Sequence, residues 1–461
     1  MKVLLMPPLG ANQFIRYPFL GLAYLATALR KSGSEVELFG FSKGDHSLVK
    51  FLSFLKKQNP DVVGISLYTK EFDQAAFTLE KIKRAAPHIT TVIGGPHPSG
   101  EPYGALEDLK DADFGFHGEA EKGLPILLEE LQRSTKKGFG VVPGLVWRSS
   151  GRVIVNEAFF EADLDSLGMP AWDLMPPENF PGTSFNFFYK SPFIAPISVT
   201  RGCPYKCTYC AAGKSNGRHV RKRSVSHVMK EIKYLYEQHG IREIQIMDSN
   251  FTFDRLLVRT FAKELIESGL QIYWSCPNGV RLDSLDEETL MLMKKSGCYL
   301  LNVGIETGSQ KVMDSIKKAL TVSEIENKID LIKKAGIFVV GFFMFGFPDE
   351  QPGDIEKTLG LSYKLKLDGA SYSIFSPLPG SAIYDSIQGV GEEKGFNWKN
   401  FDFGHDTGFR YPLPFAELKK IRSRAYVRFY MRPARFFRLL RYSCSFKRVG
   451  MMFRFAFRVI S

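Results

Sequence analysis

Residues 199–210 read Val-Thr-Arg-Gly-Cys-Pro-Tyr-Lys-Cys-Thr-Tyr-Cys, and their three cysteines, Cys203, Cys207 and Cys210, follow the spacing C-x3-C-x2-C. A closed structural zinc site takes four ligands, whereas an iron–sulfur cubane held by three thiolates leaves one iron open. The alternative is a zinc ribbon completed by a distant ligand such as His219. No second pair of closely spaced ligands follows, so this segment, the cysteine loop (residues 203–210), favours a [4Fe–4S] cluster.

The cysteine loop resembles that of the radical S-adenosylmethionine (SAM) superfamily, and the aromatic Tyr209 before the third cysteine fits the same pattern. The resemblance implies that the three cysteines are catalytic and bind metal. It also implies that the open iron chelates SAM and that an electron from the cluster cleaves SAM homolytically.

Six strand-like runs, most of them followed by an amphipathic helical stretch, begin just before the cysteine loop. They are Ile197–Thr200, Glu243–Met247, Ile272–Cys276, Tyr299–Ile305, Phe338–Phe343 and Ser371–Phe375. This repeat predicts a partial (β/α)6 barrel, the core that the resemblance implies, with functional groups in loops after the strand ends.

Candidate SAM contacts follow three of these strands. By resemblance, Asp248 and Asn250 hold the amino group, Arg281 holds the carboxylate, and Glu306 with Ser309 lines the pocket. The alternatives are a helix N-cap for the first two and a surface ion pair for the arginine.

Residues 2–133 alternate short apolar strands with amphipathic helices, which predicts a doubly wound, Rossmann-like domain that binds ligands at the carboxyl ends of its strands. Residues 1–135 resemble the cobalamin-binding domain that precedes many radical SAM cores. The cofactor contacts expected there are Ser66, Tyr68, Thr69, Gly94, Gly95, His97, Gly118 and Glu119. The D-x-H-x-x-G motif is absent, so we expect cobalamin to bind without a histidine lower ligand.

Four regions are expected. Residues 1–135 form the cobalamin-binding domain, and residues 136–190 form a hairpin and a linker. Residues 191–385 form the barrel, and residues 386–461 form a C-terminal region with a basic, aromatic-rich helical tail.

The net charge of +12 belongs to the tail, because residues 419–461 contain thirteen Lys or Arg and no Asp or Glu. A basic amphipathic helix from Pro433 would suit an anionic membrane surface. Packing on the barrel is an equal alternative, and nucleic acid is a less favoured one. A free-thiol iron–sulfur protein without a secretory leader is expected in the cytoplasm, with peripheral contact to the inner face of the membrane through this tail.

The combined resemblance implies a cobalamin-dependent radical SAM enzyme that installs methyl groups on an unactivated carbon. The close alternative is a cyclase or oxidase similar to the anaerobic magnesium-protoporphyrin ester cyclase. A tRNA methylthiotransferase fits less well because residues 1–196 contain no cysteine for a second cluster. A carrier or sensor is the non-enzymatic alternative. The expected partners are a small-molecule or lipid-like substrate and a reductant such as flavodoxin or ferredoxin.

Overall fold

The computed structural model describes residues 1–10, 18–41, 47–133, 138–180, 182, 188–388, 401, 406–432 and 435. The strands of its first sheet are β1 (Lys2–Met6), β2 (Glu35–Leu38), β3 (Val62–Ser66), β4 (Thr90–Gly94), β5 (Phe114–Phe116), β6 (Leu145–Ser149) and β7 (Arg152–Val155). The helices of this part are α1 (Leu20–Lys31), α2 (Leu48–Gln58), α3 (Phe72–Ala85), α4 (Pro96–Gly100), α5 (Pro102–Asp108) and α6 (Gly123–Gln132).

The first sheet has the order β2-β1-β3-β4-β5-β6-β7, and its first five strands are parallel. Its central strands are buried on both faces because helices cover them from either side; β1 and β3, for example, are apolar almost throughout. The doubly wound domain predicted from the alternating pattern is confirmed, and its strand ends lie along one edge.

The hairpin predicted between the two domains extends the first sheet. β6 pairs antiparallel with β5, and β7 pairs antiparallel with β6. The first structural unit therefore continues past residue 135 to Val155. The sequence pattern identified the two strands of the hairpin but not the strand that they pair with. That pairing depends on the unpaired edge of β5, which the sequence does not show.

The second sheet consists of β8 (Ile194–Ile197), β11 (Glu243–Ile246), β12 (Tyr273–Val280), β13 (Cys298–Glu306), β14 (Phe338–Phe345) and β15 (Gly369–Ile374), and a small ribbon pairs β9 (Thr200–Arg201) with β10 (Arg221–Lys222). Its helices are α7 (Ala212–Ser215), α8 (Val225–Gln238), α9 (Arg255–Glu267), α10 (Glu287–Lys295), α11 (Gln310–Ser315), α12 (Val322–Lys334), α13 (Pro352–Lys364), α14 (Ala382–Gln388) and α15 (Phe415–Tyr430).

All six strands of the second sheet run parallel in the order β8-β11-β12-β13-β14-β15, so neighbours in sequence are neighbours in space. Helices α8, α9, α10, α12 and α13 bury their apolar faces against the sheet in one core. This is the partial (β/α)6 barrel expected from the repeat. The carboxyl ends of its strands form the rim on which the cysteine loop lies.

Helix α15 covers the last strand of the barrel. The hydroxyl of Tyr430 accepts from the Ala370 amide (3.0 Å) and donates to the Ala370 carbonyl (2.8 Å), and Tyr426 accepts from the Tyr372 amide (3.0 Å). The described part of the basic tail thus packs on the barrel and supplies hydrogen-bond partners to backbone groups of the edge strand β15. Of the basic helix predicted from Pro433, the structure describes Arg435 alone, whose guanidinium donates to the carbonyls of Tyr363 (3.0 Å) and Leu365 (2.9 Å) on the barrel.

Across the described segments, no helix combines the length and the apolar character needed to cross a bilayer.

Candidate active site

The cysteine loop is attached to several elements of the barrel rim. The Thr208 amide donates to the Ile316 carbonyl (3.0 Å), and the Thr208 carbonyl accepts from the Ile383 amide (3.0 Å). Before the first cysteine, Gly202 has a φ of +97°, and a Cβ there would collide with the carbonyl oxygen of His219. A glycine is therefore required for the chain to enter the loop.

The three cysteines are free, partly accessible, and close enough to interact electrostatically. Burial raises the pKa of the Cys203 and Cys210 thiols, and the neighbouring cysteines raise it further. The Lys318 ammonium lowers the pKa of both thiols and so opposes the effect of burial. The structure thus brings all three predicted ligands together beside a fixed positive charge. Such a charge stabilises thiolates.

Arg281 lies beside the second cysteine. Its guanidinium stacks on the Tyr205 ring at 3.6 Å, and one of its nitrogens is 4.0 Å from the Cys207 Sγ. It also pairs with Asp283 at 2.9 Å. Burial would lower the pKa of Arg281, but the Asp283 carboxylate outweighs that effect, so the arginine stays charged next to the thiol.

Glu306 forms a buried ion pair that sequence reasoning missed. Its carboxylate lies 2.9 Å from the Lys318 Nζ, which also donates to the Tyr209 hydroxyl at 3.2 Å. Glu306 (φ +67°), Lys317 (φ +51°) and Ala319 (φ +53°) all adopt left-handed backbone conformations. Three such residues around one ion pair indicate strain at a functional site, because the conformation is unfavourable for side chains other than glycine.

Asp248 is buried at the end of β11 and holds the strand that leads into the cysteine loop. Its carboxylate accepts from the amides of Val199 (2.8 Å) and Thr200 (2.7 Å) and from the Thr200 hydroxyl (2.8 Å). Burial raises its pKa to about 6, and these hydrogen bonds oppose the shift. In the structure, this carboxylate fixes the turn between β8 and β9.

Asn250 and Ser309, two other predicted SAM contacts, have different environments. Asn250 is buried, its Oδ1 accepts weakly from the Thr252 hydroxyl (3.4 Å), and among the described residues its Nδ2 has no partner. Ser309 is fully buried and donates to Asp354 at 2.7 Å. A buried, unpaired amide is costly unless a ligand completes it, so Asn250 is the stronger ligand candidate.

The predicted cobalamin contacts lie at the carboxyl ends of β3, β4 and β5, and after β5 the Gly118 amide donates to the Ser99 hydroxyl at 3.0 Å. A Cβ on Gly95 (φ +101°) would press on the Leu67 backbone and the Ser66 hydroxyl, whereas one on Gly94 would enter open space. Gly95 therefore serves the turn, and the space beside Gly94 at the strand end is open.

His97, Thr69 and Tyr68 line the same edge. The His97 ring is buried, with its Nδ1 3.1 Å from the Thr69 hydroxyl, and burial lowers its pKa to about 4. The Tyr68 side chain is partly exposed. At neutral pH the imidazole is therefore uncharged and held within the domain.

Glu119 joins the two domains. Its carboxylate accepts one hydrogen bond from the Arg221 guanidinium (2.8 Å), and its other oxygen forms an ion pair with the second Arg221 nitrogen (2.8 Å). The same carboxylate lies 3.3 Å from Arg201, which also pairs with Glu121 at 2.8 Å. Arg201 and Arg221 face each other across the β9–β10 ribbon that flanks the cysteine loop. We call these four side chains the interdomain clamp.

Two further contacts bring the domains together at the same place. Helix α4 packs against α7, directly after the cysteine loop, and a Cβ on Gly100 would collide with the Pro379 carbonyl. Glu101 accepts from the Tyr384 hydroxyl at 3.1 Å. The strand-end edge of the first domain therefore faces the rim that carries the cysteine loop.

Two family profiles match this arrangement. The radical SAM superfamily matches residues 197–361, and the B12 binding domain matches residues 11–128. The chain therefore carries a radical SAM domain preceded by a B12 binding domain. The first implies SAM and a [4Fe–4S] cluster in the barrel, and the second implies cobalamin in the first domain.

Relatives match along most of this chain. An uncharacterized methyltransferase of Pyrococcus horikoshii is 28% identical over 442 residues, covering 94% of this chain and 93% of that protein. The anaerobic magnesium-protoporphyrin IX monomethyl ester cyclase of Cereibacter sphaeroides is 26% identical, covering 93% and 69%. The solved radical SAM methyltransferase TsrM of Kitasatospora setae superimposes with a TM-score of 0.69 at 18% identity, covering 84% and 77%.

The residues present fit these cofactors. The loop offers three thiols, the buried Asn250 Nδ2 has no partner among the described residues, and the space beside Gly94 is open. Within the described ranges, no three His, Cys, Asp or Glu side chains converge on one point as a single metal ion requires. A cubane binds its thiolates at separate corners, so it does not need such convergence.

Lys318 and the two arginines of the interdomain clamp, Arg201 and Arg221, are the residues at the site that the sequence alone did not assign to it. Lys318 is twelve positions after Glu306, and only the left-handed turn around it brings its ammonium back to the carboxylate. Arg201 and Arg221 carry no periodic signal, since their partner Glu119 belongs to the other domain.

Proposed function

We propose that this chain is a cobalamin-dependent radical SAM methyltransferase that methylates an unactivated carbon of a small molecule. One observation carries this proposal. The clamp between Glu119, Arg201 and Arg221 turns the strand-end edge of the first domain toward the cysteine loop. Methyl transfer needs both cofactors within reach of one substrate, and this orientation supplies that geometry.

In this proposal the three cysteines hold the cluster, and the edge formed by Ser66, Tyr68, Thr69, Gly94, Gly95, His97 and Gly118 lines the cobalamin. When bound, the cluster supplies the electron that cleaves SAM, and cobalamin carries the methyl group. Burial of His97 against Thr69 keeps that ring neutral.

The barrel rim would bind the charged end of SAM through groups of opposite sign. Lys318 and Arg281 are cations beside the cysteine loop and would attract the carboxylate. Glu306 would accept a hydrogen bond from the SAM ammonium, and the unpaired Nδ2 of Asn250 would donate one to the ligand. Asp248 and Ser309 would support the site without contacting SAM. The Asp248 carboxylate already accepts from Thr200, and the Ser309 hydroxyl already donates to Asp354.

Anaerobic reconstitution with iron, sulfide and hydroxocobalamin, followed by product analysis, tests the proposal. Incubation with SAM and a strong chemical reductant should give 5′-deoxyadenosine. It should also give S-adenosylhomocysteine, because methylating reduced cobalamin consumes SAM without cleaving it to a radical. Absence of both products would contradict the proposal and favour a carrier or sensor.

The cyclase alternative rests on the similarity to the magnesium-protoporphyrin ester cyclase. It predicts 5′-deoxyadenosine without S-adenosylhomocysteine. The same assay therefore separates the two enzymes without the natural substrate.

Cysteine variants connect the products to the loop. Replacing Cys203, Cys207 or Cys210 by Ala should abolish cluster absorbance and 5′-deoxyadenosine together. Cys276→Ala is the matched control, since this thiol is buried in the barrel core. Full SAM cleavage in the triple variant would refute the assignment.

A further inference from the structure

Helix α15 packs one face on the barrel and leaves the opposite face exposed. Leu418, Ala425 and Phe429 are buried on the barrel side. The exposed side chains on the other side lie three or four positions apart along the chain, so they form one stripe of the helix. This stripe, the α15 outer face, consists of Lys420, Arg424, Val427, Arg428 and Met431.

The α15 outer face is positively charged. Its three cations are Lys420, Arg424 and Arg428, and the single acid within Phe415–Tyr430 is Glu417, in the first turn and far from Met431. The Arg428 guanidinium is also held in place, because it lies 4.8 Å from the centre of the Tyr363 ring. The charge therefore gathers toward the carboxyl end of the helix.

Two acids beside Tyr363 are already paired and do not neutralise this charge. Lys364 and Lys366, which follow Tyr363 in sequence, pair with Glu326 (2.6 Å) and Asp330 (3.0 Å) of α12. These four charges cancel in pairs. The positive charge of the outer face is left to complement an anionic partner.

Two exposed apolar side chains lie among the cations. Val427 is 43% exposed and Met431 is 69% exposed, and they are one helical turn apart. They are an aliphatic group and a thioether, which suit insertion among lipid chains, whereas nucleic-acid bases stack on aromatic rings. The chain continues from Met431 into residues 432–461, which contain eight Lys or Arg, six Phe and no Asp or Glu.

The apolar end of the outer face lies away from the barrel rim. Tyr430, next to Met431, bonds to Ala370 near the start of β15. At the other end of α15, Leu418 lies 3.1 Å from the position of a Cβ on Gly346, which follows β14. The carboxyl ends of the strands form the rim, so Met431 is at the opposite end of the barrel. A partner bound there would leave the cysteine loop uncovered.

We propose that the α15 outer face binds the surface of an anionic lipid bilayer. Its cations attract the headgroups, and Val427 and Met431 enter the boundary between headgroups and acyl chains. Two apolar side chains bury little area, so the contact is peripheral and reversible. The inference is independent of the proposed function, because it uses no residue of the SAM or cobalamin sites.

The test measures binding of the full-length, reconstituted enzyme to vesicles by co-sedimentation. One set of vesicles contains equal parts of phosphatidylglycerol and phosphatidylcholine, and the other contains phosphatidylcholine alone. The wild type should bind the anionic vesicles and not the neutral ones. Its affinity should fall as the salt concentration rises, because salt screens exposed charges.

Charge variants show whether α15 makes the contact. A cation near an anionic membrane surface contributes about fivefold in affinity, so replacing the three cations of the outer face by Gln should weaken binding roughly a hundredfold. The matched control replaces Lys230, Lys263 and Lys295 by Gln. These lysines are exposed on α8, α9 and α10, and the control changes the net charge equally. It should bind like the wild type.

A second variant tests the apolar part of the same face. Met431→Glu removes an apolar contact and adds an anion, so it should weaken binding about tenfold. Its matched control is Met291→Glu on α10, where the methionine is 56% exposed. All of these side chains are exposed, so the variants should melt like the wild type. Met431→Glu decides the matter if the triple variant does not fold.

Three outcomes would overturn the proposal. The first is that the wild type sediments with neither set of vesicles. The second is that Met431→Glu and the triple variant bind anionic vesicles as tightly as the wild type. The third is that the wild type binds polyuridine RNA through the three cations but does not bind vesicles, which would assign the face to nucleic acid.

Discussion

Replacing Glu119 by Gln tests whether the interdomain clamp holds the two domains together. Gln has the shape of Glu but cannot neutralise Arg221, whose side chain is 5% exposed and pairs with Glu119 at 2.8 Å, or Arg201 at 3.3 Å. Removing one partner of a buried ion pair typically costs about 3–5 kcal/mol, because the other charge stays buried without compensation. We expect a loss of that order in the free energy of unfolding.

The control is Glu326→Gln, which removes a surface partner of Lys364 (2.6 Å). An exposed pair contributes about 0–1 kcal/mol, so this variant should resemble the wild type. The assay is anaerobic urea denaturation followed by tryptophan fluorescence. Hydrogen exchange at the amides of residues 118–121 and 200–202 should also accelerate in Glu119→Gln. A difference of less than about 1 kcal/mol between the two variants would refute the assignment of the clamp as a buried, stabilising contact.

Three further predictions concern single side chains. Burial raises the pKa of Glu350 to about 7, so its protonated form is fully stabilising below pH 4.5 and this contribution is lost as the pH rises through 7. Relative to Glu350→Gln, the wild type should lose about 3 kcal/mol between pH 4 and pH 8 in denaturant titrations, and a flat difference would contradict this. Tyr430→Phe should cost about 1–3 kcal/mol in the same assay, because it leaves the amide and carbonyl of Ala370 unpaired on the edge strand. Bound cob(II)alamin should show no nitrogen superhyperfine splitting in EPR, since His97 is buried against Thr69, and splitting that His97→Ala removes would overturn this.

Sequence patterns predicted the repeating architecture well because each βα unit is a local signal. Buried parallel strands such as β13 and β14 are apolar almost throughout, and the helices between them show one apolar face. The three cysteines could be predicted equally well, since their close spacing in sequence places their thiols in one loop.

The parts that the sequence did not predict depend on contacts between distant segments. Asp248 matched a SAM-binding motif, but its carboxylate meets the amides of Val199 and Thr200, 49 and 48 residues earlier. Glu119 was assigned to cobalamin for its glycine-rich loop, yet its partner Arg221 is 102 residues away. A motif shows which residue type stands at a strand end, while the fold decides which group that residue meets.

The anchoring of the cysteine loop explains why both domains belong to one site. Thr208 bridges Ile316 and Ile383 within the barrel, whereas the β9–β10 ribbon beside the loop is held by Glu119 from the first domain. Because the loop is fixed from both sides, a displacement of either domain changes the position of the cluster relative to the cobalamin edge. An ionic contact suits this task, since the charge-assisted hydrogen bond from Arg221 to Glu119 fixes direction as well as distance, which an apolar interface of similar size does not.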